Sequence, residues 1–413
     1  MTAEIISIGN EVLSGHTVNT NAAFTGEALF LAGWKVQRVS VVGDREEEIQ
    51  HALDAAFNRS SVVITSGGLG PTKDDLTKKA IANYFHVPLV FHSSILDDIE
   101  KRFKRMGAKA PQSNRFQAEI PENAEILINP AGTAPGLYIR NGDKHLFVTP
   151  GVPGEMRVMI TEQVIPRIES IFGKRIVFQK SLLTTGISES LLADRLEGFE
   201  ETYPDIQLAY LPELQGVKLR LILFSQNQPQ EKEIFDSAIR FIKTKTGEAI
   251  FGEDDTTLPG VIAGLCIEKK LTLAIAESCT GGLISHKLTS IPGSSAYFER
   301  GVITYSNQAK MELLNVPEEI IRNFGAVSKE TAEAMARGVR VLSKTDIGLS
   351  ITGISGPDGG TPAKPVGLMY IGYSDSGKTS VEKLQLPFDR QVNNERAAYI
   401  ALNLLRRNIL GMV

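Results

Sequence analysis

Ser61-Val62-Val63-Ile64-Thr65-Ser66-Gly67-Gly68-Leu69-Gly70-Pro71-Thr72-Lys73-Asp74-Asp75 is the stretch that decides the fold of the first part of the chain. Val62 to Thr65 is an unbroken β-branched run, the pattern of a strand buried on both faces as in a parallel sheet. It ends in glycines, and a helix is predicted to start near Asp74. Outward from it the alternation continues. Glu4 to Gly9 is a short apolar run ending in glycine, Asn21 to Ala32 has helical spacing, and Trp34 to Val42 alternates like a strand. Asp44 is placed to cap a helix running through Phe57, with Glu46, Glu47 and Glu48 in its first turn, where the helix dipole favours acids. Strands alternating with helices over residues 3–172 predict parallel βαβ units with right-handed crossovers in a doubly wound α/β domain.

Residues 173–252 read differently, as a small α+β connector. Lys174–Thr184 and Val217–Ser225 are strand candidates there. Ser188–Phe199, with Ser188 as N-cap, and Gln230–Thr246 are helix candidates. Gly252 to Thr257 is acidic and polar and reads as a linker. Alternation then resumes: helix at Pro259–Lys270, strand at Leu271–Ala276, helix at Ser328–Ser343, strands at Asp346–Ile351 and Val366–Tyr373, and a closing helix at Arg396–Leu410. Each of the two α/β ends can be read as an independent enzyme.

Bulk properties narrow the function. With 44 basic and 48 acidic residues the formal charge is −4, so direct nucleic-acid binding is not expected. The only cysteines, Cys266 and Cys279, form no disulfide framework and no C-x-x-C pair, which points to a reducing cytoplasm. The six histidines (His16, His51, His86, His92, His145, His286) are scattered and read as surface or capping residues. No leader pattern and no apolar run of membrane-spanning length is read, so no membrane partner is expected.

The loop after Thr65 joins two features of an anion site. Glycines let backbone N–H groups approach a phosphate, and a following helix adds its free N–H groups. Asp74 and Asp75 could hold a hard divalent cation such as Mg²⁺ against phosphate oxygens. Taken alone, the loop is equally a glycine turn with Asp74 capping a helix. Gly9 to Gly15, Asn129 to Gly136 and Thr149 to Glu155 are further loops of Gly, Pro and small residues at strand ends. Together they resemble the molybdopterin-binding fold of the MoaB, MogA and MoeA proteins, over about residues 3–170. The resemblance falls on Ser66, Gly67, Gly68, Gly70, Thr72, Asp74, Asp75, Gly132, Thr133 and Pro150 to Pro153. It implies a three-layer domain with a nucleotide or pterin pocket lined by Gly67, Gly68, Gly70, Thr72, Thr133 and Gly151. The Gly9–Asn21 opening is similar to the CinA branch of that fold. That branch implies metal-dependent hydrolysis of the ADP-ribose pyrophosphate, with Asp74 and Asp75 as metal ligands.

In the last part, Ala276-Glu277-Ser278-Cys279-Thr280-Gly281-Gly282-Leu283 follows a strand and opens a helix. Small hydroxyls and paired glycines there make an anion or oxyanion site. Amide hydrolysis also needs a nucleophile and a base. No histidine sits in a suitable motif, and His286 reads as a surface residue. A buried lysine can serve instead, as in Ser–Lys variants of the serine triad. Lys310 is the candidate base, although its spacing alone fits an ordinary solvated lysine. Ser278, Ser294 and Ser295 are candidate nucleophiles, and Cys279 is a rival that also reads as a packed small residue.

A-E-S-C-T-G-G, G-S-S-A-Y-F-x-x-G-x-x-T-Y-S-N-x-x-K and T-G-I-S-G-P-D-G-G occur in order within residues 258–411. Together they resemble the CinA C-terminal family of nicotinamide mononucleotide deamidases. The resemblance implies Ser295 as nucleophile and Lys310 as base, assisted by Ser278 and Tyr305. It implies Thr280, Gly281, Gly282, Thr352 and Gly353 around the substrate and Arg390 on its phosphate, with no cofactor. The middle segment resembles the KH-type insert of full-length CinA proteins. The expected architecture is α/β throughout: residues 1–172, a connector at 173–252 and an amidohydrolase domain at 257–413, in a cytoplasmic homodimer acting on nucleotides. Two rivals remain: a competence- or damage-linked binding protein that recruits recombination partners, and a pterin-binding first domain.

Overall fold

The computed structural model describes residues 2–72, 75–225 and 229–412. The chain divides into two compact units. One takes in Met1–Phe178 and Phe224–Glu231, the other Gln179–Leu223 and Lys232–Val413.

The first unit holds a six-stranded sheet in the order Lys35–Val42, Thr2–Ile8, Val62–Ser66, Lys144–Thr149, Gly136–Asn141, Ala124–Leu127. The first four strands are parallel, and the last two each pair antiparallel with the strand before them in that order. Because side chains alternate across a strand, Ile6 and Val63 join one buried cluster and Ile5 and Ile64 another, on opposite faces. Helices cover both faces, which makes three layers. The predicted helix at 21–32 is found at Thr20–Leu31, and the strand quoted first is found at Val62–Ser66.

Some local expectations give way. The helix Glu46–Phe57 has Arg45 at its cap with no side-chain bond. Asp44 instead accepts the Asn10 N–H at 2.9 Å, which ties together the loops after the first two strands. His145 is buried, with Nδ1 2.7 Å from the Tyr138 hydroxyl, and is no surface residue. The helix expected near Asp74 starts at Thr77.

The connector is a four-stranded sheet in the order Gln207–Glu213, Gly216–Ser225, Ile176–Thr184, Ile250–Glu253. Ser188 caps the helix Glu189–Arg195 by accepting the Leu191 N–H. The acidic stretch read as a linker is ordered. Ile250–Glu253 pairs with the strand ending at Thr184, and Lys180 Nζ bonds Asp254 at 2.7 Å and Glu253 at 2.5 Å. Leu183 and Phe251 belong to the same buried cluster as Leu258, Ile262 and Ile275. The connector and the last segment therefore share a core.

The last segment is a five-stranded sheet in the order Phe298–Ile303, Leu273–Glu277, Ile347–Gly353, Leu368–Ser374, Thr379–Gln385. The first three strands are parallel. The helix Lys329–Ser343 packs Met335 and Val339 on one face, and Leu258–Lys269 and Arg390–Ile409 pack on the other. Ser328 caps the first of these helices through the Thr331 N–H, and Thr257 caps the second through the Gly260 N–H. The closing helix begins six residues earlier than its apolar spacing predicts, because Asp389 caps it through the Val392 N–H.

Candidate functional site

The parallel strands Phe298–Ile303, Leu273–Glu277 and Ile347–Gly353 end side by side. The Ser278 N–H donates to Ile351 O at 3.0 Å, and the Thr304 N–H donates to Glu277 O at 2.7 Å. The three motifs of this segment meet there in part.

Glu277 builds the turn. Its carboxylate is fully buried and accepts from Thr280 Oγ1, the N–H groups of Gly282, Ile284 and Ser285, and Ser285 Oγ, at 2.6 to 3.1 Å. A buried carboxylate is tolerated when its lone pairs are filled in this way. Gly281 and Gly282 have positive φ of 60° and 102°, which lets the chain wrap the carboxylate. Among the described residues the Thr280 N–H donates to no backbone or side-chain acceptor, and the Cys279 N–H lies against its own sulfur alone. Sequence reasoning missed Glu277. Its only signal was an acid at the end of an apolar strand, where an unpaired charge would be costly.

Lys310 lies in the helix Asn307–Leu314, capped by Ser306. Its side chain is only 1% exposed. Nζ is 3.1 Å from Ser278 Oγ, 2.7 Å from Thr304 O and 3.4 Å from Tyr305 O. Burial pulls its ammonium below the ordinary 10.5, with the nearby Cys279 sulfur opposing. A neutral amine would donate its two hydrogens to the two carbonyls and turn its lone pair to the Ser278 hydroxyl. Burial pushes the Cys279 thiol up to about 11, so at neutral pH it is a protonated, packed residue.

Tyr305 is exposed and accepts from Arg390 Nη2 at 3.2 Å, while Arg390 Nη1 donates to Gly356 O at 2.8 Å. Ser278, Lys310, Tyr305, Arg390 and the Gly356 turn thus gather around one end of the sheet. Asn393, also unflagged by the sequence, donates from Nδ2 to Ser355 O and Phe388 O and fixes that turn to the closing helix.

Ser295 does not join them. It is exposed, three residues ahead of Phe298, which pairs with Leu273 at the start of the neighbouring strand. Ser278 follows the other end of that strand, so the two serines are roughly 15 Å or more apart at the rise of a β-strand. The pairing of Ser295 with Lys310 is corrected within this chain: the serine at the lysine is Ser278. Ser294 lies in the same short turn as Ser295. Thr280 and Gly282 face Glu277. Thr352 Oγ1 donates to Ala326 O at 2.7 Å, and a Cβ on Gly353 would meet Met369 at 2.4 Å, so both hold the scaffold.

In the first unit a cleft of about 390 Å³ opens at the strand ends. Gly67, Gly68, Gly70, Thr133 and Gly151 line it, together with the carboxylates of Glu11, Asp44, Asp75 and Glu155. Gly67 and Gly68 have positive φ, and a Cβ on either would lie 2.0 Å from Ile8 O or Thr77 Oγ1. Asp75 folds back on Thr72, accepting its N–H at 2.8 Å and its hydroxyl at 2.5 Å. Asp74 lies outside the described residues. Among the described residues no group of three His, Cys, Asp or Glu is placed to hold a metal ion. The donors that do line the cleft are hard oxygens, the type that suits Mg²⁺. Mg²⁺ commonly takes one or two carboxylates, with water and phosphate oxygens completing its shell. Behind the loop, burial pulls Lys78 down to about 8, against the carboxylates of Glu119 and Asp75. Its ammonium bonds Phe116 O.

The fold and these sites define a multidomain α/β protein with a separate strand-end site in each unit. Comparison with known proteins agrees. Residues 4–170 match the model described as a probable molybdopterin binding domain, 179–252 the damage-inducible protein CinA KH domain, and 255–409 the CinA C-terminal domain. A putative competence-damage inducible protein of Caldicellulosiruptor bescii is 43% identical over 99% of this chain and 100% of its own length. A CinA-like protein of Kosmotoga olearia is 42% identical over the full length of both chains. The crystal structure of the protein CinA from Thermoplasma acidophilum is 40% identical, covering 40% of this chain and 97% of that one, with a TM-score of 0.37. The chain belongs to the CinA family.

Proposed function

We propose that the second unit hydrolyses the carboxamide of nicotinamide mononucleotide, giving nicotinic acid mononucleotide and ammonia. The observation that carries this reading is the buried Lys310 Nζ 3.1 Å from Ser278 Oγ. Ser278 Oγ attacks the amide carbon while neutral Lys310 takes its proton. The resulting oxyanion is held by the Cys279 and Thr280 N–H groups. Lys310 returns the proton to the amine as the C–N bond breaks, and ammonia leaves. Water, deprotonated by Lys310, then cleaves the Ser278 ester and frees the carboxylate. Arg390, presented with Tyr305 at the rim, binds the ribose phosphate. This assignment needs no cofactor. An ammonia-release assay with nicotinamide mononucleotide tests it: turnover by the full chain, lost in Ser278→Ala, is expected. No ammonia from the folded wild-type protein overturns it.

For the first unit the cleft favours a phosphate-bearing ligand, and we read it as the site of metal-dependent ADP-ribose pyrophosphate hydrolysis. Asp75 and neighbouring carboxylates, with Asp74 from the adjoining position, would hold the cation. The cation would offset charge on the phosphate oxygens. The molybdopterin-type family match favours a second reading, a bound pterin. Thermal-shift titration with ADP-ribose and with a pterin separates the two: the first reading requires stabilisation by ADP-ribose. The relatives' names carry a competence- and damage-linked role, and nothing at either site adds to that reading. The protein is proposed to work in the cytoplasm as a homodimer. No helix among the described residues is long and apolar enough to cross a membrane.

A further inference from the structure

A further cleft, larger than the one at the strand ends of the first unit, lies wholly within the second unit. It opens between the connector sheet and the closing helix Arg390–Ile409, and its volume is about 920 Å³. That is at the upper end of the range for small-molecule sites. Its wall carries five cations: Arg195, Lys245, Arg396, Arg406 and Arg407. Among the described residues none of the five lies within 4.0 Å of a carboxylate.

The acids of the wall do not balance them. Glu213 is taken by Lys218, which stands outside the cleft, at 3.1 Å. Burial pushes the Glu382 carboxyl up, with Arg407 opposing. Glu189 and Glu248 remain. Arg406 is 3% exposed, and it donates from Nε to Asn403 Oδ1 and from Nη2 to Glu248 O. A guanidinium has five N–H donors, so three of its hydrogens stay unassigned. Arg396 stacks over Phe388, and its buried Nε has no acceptor. Arg195 and Lys245 are exposed, whereas Arg396 and Arg407 are half-buried and Arg406 is buried, where burial and the neighbouring Arg407 disfavour its charge and Glu248 opposes them. Cations without an ion-pair partner and an orphaned donor on this partly desolvated side are costly, and an anionic ligand with several acceptor oxygens would offset the cost.

We propose that this cleft binds a phosphate-bearing nucleotide at a site separate from Ser278–Lys310 and from the first unit. Guanidinium groups fit phosphate oxygens in bidentate geometry, and a volume of about 920 Å³ accommodates a sugar and base as well. Four carboxylates interrupt the wall, which suits a small anion better than the continuous positive track of a single-stranded nucleic acid. The closing helix carries both Arg390, beside the candidate active site, and three of the four arginines of this cleft, Arg396, Arg406 and Arg407.

Arginine footprinting of the full chain with phenylglyoxal, read by peptide mapping, tests this, with ADP as the probe. At an ADP concentration of about ten times Kd, modification of Arg195, Arg396 and Arg407 is expected to slow about tenfold. Ser278→Ala and Asp75→Ala should leave that protection intact, since both lie at the other sites. Arg407→Ala, confirmed folded by an unchanged thermal transition, should weaken ADP binding here about tenfold, the effect of losing one charge-assisted bond. The proposal is overturned by any of four results: no protection, protection unchanged in Arg407→Ala, equal protection by inorganic pyrophosphate alone, or stronger protection by a single-stranded RNA oligonucleotide.

Discussion

The loops Ser66–Asp75 and Glu277–Gly282 begin from the same local pattern. Each follows a buried parallel strand, turns on paired glycines and leads into a helix. They end in different chemistry because they place their acids differently. In the first unit Glu11, Asp44, Asp75 and Glu155 face an open cleft, so the site is negative and suits a cation carrying phosphate. In the second the acid is Glu277, fully buried and satisfied by the turn it shapes, which leaves a buried serine of that turn against a desolvated lysine. A buried lysine lies near each loop as well. Lys78 has Asp75 and Glu119 favouring its charge, whereas none of the forces shifting Lys310 comes from a carboxylate. A glycine turn at a strand end makes room for a ligand, and the position of the nearest carboxylate decides which ligand.

The comparison breaks most sharply at the Ser–Lys pair. Ser278→Ala and Lys310→Met should each lower ammonia release by about 10³-fold or more, the scale of losing a nucleophile or a general base. Hydrolysis of ADP-ribose should be untouched, and equal losses of both activities would erase the distinction between the loops. The pH profile sharpens the same point. Lys310 works as a base only when neutral, and burial lowers its pKa, so kcat/KM should rise with pH and level off below the ordinary lysine value of 10.5. A rate that falls over that range contradicts the assignment.

Glu277 gives the next largest effect. Glu277→Ala removes an acceptor with five donors aimed at it, and chemical denaturation should show a loss of about 3–5 kcal/mol. Asp75→Ala, where one exposed loop threonine loses its partner, should cost no more than about 1 kcal/mol while reducing pyrophosphate hydrolysis. A similar stability loss in both variants would show that the two acids do the same work.

Lys78 supplies a smaller effect with a defined sign. Its pKa is about 8 folded and near 10.5 unfolded. Between those values the unfolded chain holds a proton that the folded chain lacks, so stability should rise with pH across that window. Lys78→Met should flatten the rise, as followed by thermal melting of the full chain from pH 8 upward. The smallest effect belongs to Ser295, far from the lysine along its strand. Ser295→Ala should leave ammonia release within about twofold of wild type, as surface substitutions usually do.

Much of this was legible in the sequence. Period-2 runs, β-branched strands, the Ser188 cap and the helix start at Ser328 marked the elements, and the ordered motifs marked the two strand-end loops. Contacts between residues far apart in sequence were not legible. Asp44 stands where a cap belongs, but the neighbouring Asn10 N–H takes its carboxylate. The acidic run at 252–257 has linker composition, yet Lys180, more than 70 residues earlier, turns it into a strand end. Ser278 and Ser295 both sit in small-residue turns. Only strand register shows that one meets Lys310 and the other lies at the opposite end of the strands. The shared core of Leu183, Phe251 and Leu258 likewise appears only in three dimensions, so a fragment beginning at Leu258 would lose part of its packing.

The central proposal is that one chain runs a metal-dependent site of cleft-lining carboxylates and a metal-free site of buried serine and lysine. Its most direct test is ammonia release from nicotinamide mononucleotide by chelator-treated protein, wild type beside Lys310→Arg. Arginine keeps the positive charge but does not deprotonate in a protein. The account predicts that chelated wild type releases ammonia at its full rate while Lys310→Arg does not. Loss of ammonia release on chelation, restored by added divalent metal, would contradict it and make a metal-bound water the nucleophile.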